Sequence, residues 1–164
     1  LVLTIFIIGI LAATVFPRLA DLSSDARIAA LKSIEGTMKS TIGIVKSKAR
    51  AQGLSRVSSN PAEGTGSGGA QQNFVIETEA GRSEVDWRNL CPESEAEVGD
   101  ALTMIDYIAL EDESADLESG TDNRYTQVGF ILPPDFGDGD PGCYVEYDSF
   151  GDPDCTVAVY TSQC

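Results

Sequence analysis

The chain has 164 residues, with 26 acidic against 11 basic side chains and a formal charge of −15. It fits one modest domain, and it excludes a nucleic-acid binder, which must neutralise phosphates. Histidine is absent, so Ser-His and Cys-His hydrolases are excluded, and an enzyme would have to work with carboxylates, Lys, Tyr or thiols alone.

The charge is unevenly divided. Up to Asn60 there are eight basic residues against three acids, whereas from Pro61 onward only Arg82, Arg88 and Arg124 oppose 23 acids. One chain therefore carries a basic segment and an acidic one.

The first sixteen residues, LVLTIFIIGILAATVF, hold no charge and are closed by Pro17 and Arg18. As helix they reach about 24 Å, slightly short of the ~30 Å hydrocarbon core, and a few apolar residues upstream would complete a span. A signal peptide would also place an apolar run before Leu-Ala-Ala. The helical pattern, however, continues past the point where cleavage would fall. Beyond Pro17 apolar residues recur at Leu19, Leu22, Ala26, Leu31, Ile34, Met38, Ile42, Val45 and Ala49, mostly at steps of three or four, which predicts a helical stripe. Charged residues Lys32, Glu35, Lys39, Lys46 and Arg50 run along another face, with Glu35 and Lys39 at the favourable i, i+4 spacing. Gly53 offers a stop. The expectation is one helix of about fifty residues, weakened at Gly9, Pro17, Gly36 and Gly43, because glycine costs roughly 1 kcal/mol and interior proline roughly 3 kcal/mol.

Asn60 to Gln72 (NPAEGTGSGGAQQ) reads as a flexible surface loop. Phe74 to Thr78 and Ser83 to Trp87, turning at Ala80-Gly81, predict a hairpin. Glu93 to Leu110 has acids first and then apolar residues at Val98, Leu102, Ile105 and Ala109, which predicts a short second helix. Glu111 to Asp122 reads as a solvated acidic loop. Tyr125 to Leu132, Cys143 to Tyr147 and Thr156 to Thr161 are the remaining strand candidates. The fold class is α+β, with the C-terminal half of the long helix packed on an antiparallel sheet of about four to five strands. The divisions are 1–17 apolar half-helix, 18–53 amphipathic half-helix, 54–92 glycine-rich loop and hairpin, and 93–164 acidic globular part.

Four cysteines in an exported chain imply two disulfides and three connectivities. Cys155 with Cys164 is disfavoured if TVAVYT between them is a strand, because nine residues of strand span roughly 30 Å and bridged Cα atoms lie within ~7 Å. Two connectivities then stay open: Cys143 to Cys164 with Cys91 to Cys155, or Cys91 to Cys164 with Cys143 to Cys155. Asp135-Phe-Gly-Asp138-Gly-Asp140 sets three carboxylates among glycines, as calcium loops do. Asp-Gly runs, however, also form plain turns. The same three acids are the candidates for an acid/base pair in a membrane-anchored carboxylate enzyme, a reading the scattered acids support weakly.

The segment LVLTIFIIGILAATVFPRLADLSSDARIAALKS resembles the N-terminal helix of type IV pilins. ILAAT-x-x-PR-x-x-DLSSDAR-x-AAL is most similar to the mannose-sensitive haemagglutinin pilin group. The Cys143-Tyr-Val-Glu-Tyr run and Cys164 resemble that group's disulfide-closed end, which implies Cys143 to Cys164 with Cys91 to Cys155. The family's Phe-Thr-Leu-Ile-Glu stretch, whose acid serves methylated N-terminal maturation and subunit registration, would precede Leu1, so no residue here takes that role. The resemblance implies a type IV pilin fold and a structural, non-catalytic subunit without a cofactor. Such a subunit waits in the inner membrane of a Gram-negative bacterium, meets prepilin peptidase and the pilus assembly machinery, and polymerises with copies of itself into an extracellular filament serving adhesion, surface attachment or twitching. A major pseudopilin of a type II secretion system shares the helix and is the nearest rival; four cysteines and a long acidic domain suit a pilin better. The resemblance also implies that helicity between Gly9 and Pro17 is lost in a filament. Arg18, first after the apolar run, is expected to be buried there against Asp21 or Asp25 of an adjacent helix, since an unpaired buried charge is severely unfavourable.

Overall fold

The computed structural model describes the backbone of residues 2–59, 73–108 and 117–164, with side chains from residue 23 onward within them. Helix α1 runs Val2–Ala51, 50 residues. Among its described side chains Leu31, Met38, Thr41, Val45 and Ala49 are buried, and Ile34 and Ile42 pack beside them. The seven-residue step from Leu31 through Met38 to Val45 keeps these side chains on one face, and full burial of each large one is worth about 1.5–3 kcal/mol. Ala26, which shares the sequence stripe, is exposed. Gly36 and Gly43 face open space, and the Ser40 and Ser47 hydroxyls donate back to their carbonyls at 2.8 and 2.7 Å. Glu35 and Lys39 form the expected ion pair at 2.5 Å.

The helix stops at Gly53, whose φ is +86°. The Gly53 N–H donates to the Arg50 carbonyl and the Leu54 N–H to the Ala49 carbonyl, both at 3.0 Å. This is a Schellman ending, and it requires a left-handed residue where glycine stands. Leu54 then packs against the core beside Val45 and Ala49.

Strands β1 (Val75–Glu77) and β2 (Arg82–Glu84) form an antiparallel pair with Ile76 opposite Ser83. A separate antiparallel sheet has the order β3-β4-β5-β6, from β3 (Glu118–Thr121), β4 (Tyr125–Ile131), β5 (Cys143–Asp148) and β6 (Thr156–Tyr160). Val128, Val145 and Val159 are in register across β4, β5 and β6, and with Tyr147 they meet Leu31 and Met38 of α1. A second cluster joins Val45 and Ala49 to Phe74, Ile76, Val85, Trp87 and Leu90. The expected strands are thus present, but divided between two sheets of four and two.

Two expectations are corrected. Glu93 to Leu110 contains no α-helix among its described residues, only one 3₁₀ turn at Ile105–Tyr107. Its backbone is engaged elsewhere: the Glu93 N–H donates to the Glu84 carbonyl, Leu102 bridges to Ser83, and the Met104 N–H donates to the Glu93 carbonyl. The Glu111 to Asp122 stretch is also more than a loop, because Glu118–Thr121 pairs with β4 as an edge strand. Its side chains are mostly exposed, so acidic residues sit there without leaving water.

The loop expected at Asn60 to Gln72 lies outside the described residues, as do residues 109–116. Among the described residues no helix is long and apolar enough to cross a membrane. The uncharged run on which the membrane expectation rests lies where α1 is described by its backbone alone. The backbone of α1 is helical through Gly9 and Pro17 in the single chain; the expected loss of helicity concerns the assembled state.

Candidate functional site

The surface side of α1 is the first candidate. Ile44 is 68% exposed, and Lys39, Ser40, Gly43, Ser47, Lys48 and Ala51 surround it along a shallow groove. A neighbouring depression of about 370 Å³ lies between this helix face and the β1–β2 turn, lined by Ile44, Val45, Lys48, Thr78, Glu79, Ala80 and Tyr107. Of the expected assembly residues, Asp25 is exposed on α1. The side chains of Pro17, Arg18 and Asp21 lie outside the described set, and so do the surroundings of Gly9.

Part of the basic helix is already matched within the chain. Lys46 pairs with Asp154, which also accepts from Arg56 at 3.0 Å. The hydrogen bond from Lys46 holds the Asp154 carboxyl below the usual carboxylate range. Arg27 lies 5.3 Å from the centre of the Phe130 ring, within cation–π range.

The aspartate loop holds the residues weighed as a calcium loop against a plain acidic turn. Asp135 and Asp138 are exposed and Asp140 is half-buried, and among the described residues no group of three or more acidic, Cys or His side chains could hold a metal ion. The loop is tied down through its backbone instead. The Gly137 N–H donates to Glu146 Oε2 at 3.0 Å, Gln127 donates to the same oxygen at 2.7 Å, and the Tyr144 hydroxyl donates to the Asp140 carbonyl at 3.1 Å. Gly137 has φ +80°, and a Cβ there would fall 2.5 Å from the Tyr125 ring, so the loop lies flat on the sheet. Beneath it Tyr144 stacks on Tyr160 with ring centres 4.6 Å apart. Asp-Gly pairs here serve turn geometry.

The disulfides join Cys91 to Cys155, with Cα atoms 6.2 Å apart, and Cys143 to Cys164, 4.8 Å apart. This is the pairing that the family resemblance implies. The first bridge pins the 86–91 turn against the start of β6, and Asn89 adds to it by donating to the Ser149 and Gly151 carbonyls at 2.7 and 2.9 Å.

The sequence reading misses one feature of this region. Residues 84–86 and 91–93 pair as antiparallel arms: the Glu93 N–H donates to the Glu84 carbonyl at 3.1 Å and the Asp86 N–H to the Cys91 carbonyl at 2.8 Å, with Val85 bridged to Pro92. Alternation along the arms therefore sets Glu84, Asp86 and Glu93 on one face. All three are buried. Asp86 accepts from the Arg88 N–H at 2.7 Å and pairs with the Arg88 guanidinium, which itself is stacked 4.1 Å from Trp87 and 4.2 Å from Phe150. Glu84 Oε2 accepts from the Glu97 and Val98 N–H groups at 2.7 and 3.0 Å. Burial pushes all three carboxyls upward, Glu93 to about 9 with Asp86, Glu84 and Glu97 adding to the effect.

No protein-family model, curated protein or solved structure matches the chain.

Proposed function

We propose that the chain is the major structural subunit of a type IV pilus, with a type IV pilin fold and no catalytic role. One observation carries this reading. Within a helix of 50 residues, the described positions that enter the hydrophobic core run from Leu31 to Ala49, while the sequence makes the first sixteen uncharged. A segment so apolar needs lipid or neighbouring apolar helices as its surroundings. An inner-membrane subunit later bundled with copies of itself meets both in turn. Prepilin peptidase and the assembly machinery are its expected partners, and the extracellular filament its final location. The acidic globular part then forms the outer coat, where like charge keeps surfaces apart and soluble.

Negative-stain microscopy of sheared surface material tests the proposal. Filaments composed mainly of this chain are expected, and they disappear when its gene is deleted. Intact surface filaments lacking the chain would overturn the pilus reading and favour the pseudopilin.

A further inference from the structure

Glu93 is 2% exposed, and neither of its carboxyl oxygens receives a hydrogen bond. Glu84 Oε1 is likewise without a donor. An ionised carboxylate buried without partners is strongly disfavoured, and like charges brought together compound the cost. A proton on Glu93 resolves both problems. The carboxyl becomes a donor, and the Asp86 carboxylate, which the antiparallel pairing of the arms sets on the same face, is available as its acceptor.

The same residue is a junction. The Glu93 N–H and carbonyl join the Glu84 and Met104 backbones, Met104 lies in the core with Leu31 and Met38, and Val85, Trp87 and Leu90 pack on Val45 and Ala49 of α1. The groups facing Glu93 are Asp86, Glu84, Glu97 and Arg88 from its own segment, with Tyr147 of β5, whose hydroxyl donates to the Pro92 carbonyl at 2.6 Å.

We propose that Glu84, Asp86 and Glu93 form a proton-operated latch: a proton shared between Glu93 and Asp86 holds residues 84–108 against the C-terminal half of α1, and its loss loosens that segment. The Cys91–Cys155 disulfide keeps the loosened segment tethered. The device belongs to the single chain and is independent of filament assembly.

The sign follows from linkage. The folded state keeps the Glu93 proton to about pH 9 against an ordinary value of 4.5. Its contribution to stability is therefore complete below 4.5 and declines as pH rises toward 9, above which the folded carboxyl is ionised as well.

Trp87 is the chain's only tryptophan and sits in the latched segment, so its fluorescence in the full chain, held in detergent micelles, reports the state directly. A reversible change centred near pH 9 is expected, and Glu93→Gln, folded at neutral pH, is expected to remove it while leaving tyrosine ionisation at higher pH. Infrared spectra of the unaltered chain are expected to show a protonated carboxyl at neutral pH that disappears across the same transition, a readout that does not require the variant to fold. Absence of that carboxyl band at neutral pH would overturn the latch, as would a folded Glu93→Gln chain with the alkaline transition unchanged.

Discussion

Lys46, on the docked half of α1, donates to the Asp154 carboxylate in the β5–β6 connection, tying the basic helix to the acidic sheet. The carboxylate is half exposed, so water screens the pair and its worth is about 0–1 kcal/mol. Asp154→Asn should lower stability by no more than that at neutral pH. Because the folded-state value of Asp154 is lowered, the contribution is present above the ordinary carboxylate range and lost as pH falls through the lowered value. Urea midpoints at neutral pH and at about pH 2 check this, with the two chains converging in acid.

The core of α1 should be far less tolerant than its outer face. Met38→Ala empties a fully buried position and should cost about 2–5 kcal/mol. Ile44→Ser, at an exposed position on the same helix, should change stability by no more than about 0.5 kcal/mol. Denaturant unfolding of the two variants makes the comparison, and equal losses would contradict the assignment of faces.

Removing the bridge that closes the longer loop should cost somewhat more, because the entropy of closure grows with the logarithm of loop length. Cys143 and Cys164 are separated by 21 residues and Cys91 and Cys155 by 64, which the chain-entropy relation converts to about 3 and about 4 kcal/mol. Replacing each pair by serines and measuring unfolding checks the order. Non-reducing peptide mapping checks the pairing itself, and a Cys91–Cys164 peptide would refute it.

For the proposed filament, Arg18 is the decisive charge. Arg18→Glu should abolish filaments while the subunit stays inserted in the membrane, and Asp21→Lys or Asp25→Lys in the same chain should partly restore them. Filament yield by microscopy and membrane content by immunoblot give the result. Normal yield from Arg18→Glu alone would remove Arg18 from the assembly contact.

Local signals account for what can be read from the sequence. The recurrence of Leu31, Ile34, Met38, Ile42 and Val45 is a helix by its own spacing, Gly53 marks its end, and the aromatic and β-branched run Cys143 to Tyr147 marks a strand. The 93–110 segment misleads because its apolar spacing and leading acids imitate a helix start. What organises it lies far away in sequence: the Glu84 carboxylate takes the Glu97 and Val98 N–H groups, and Ser83 pairs with Leu102. The buried acids are illegible for the same reason. Glu84 and Asp86 flank Val85 in an alternation that normally leaves charges in water, and only the return of Leu90 to Glu93 and the cover of Tyr147 enclose them.

The Cys91–Cys155 bridge also sets how the chain bears a load. Tension applied between α1 and β6 passes through the two sulfurs, so the 64 residue steps of backbone from Cys91 to Cys155 cannot be drawn out. At about 3.3–3.6 Å per residue, that withholds roughly 210–230 Å of contour length. Strands β3, β4 and β5 lie wholly within this span, and in a pulled molecule these three strands stay out of the path of the force, which runs from the helix through the bridge into β6.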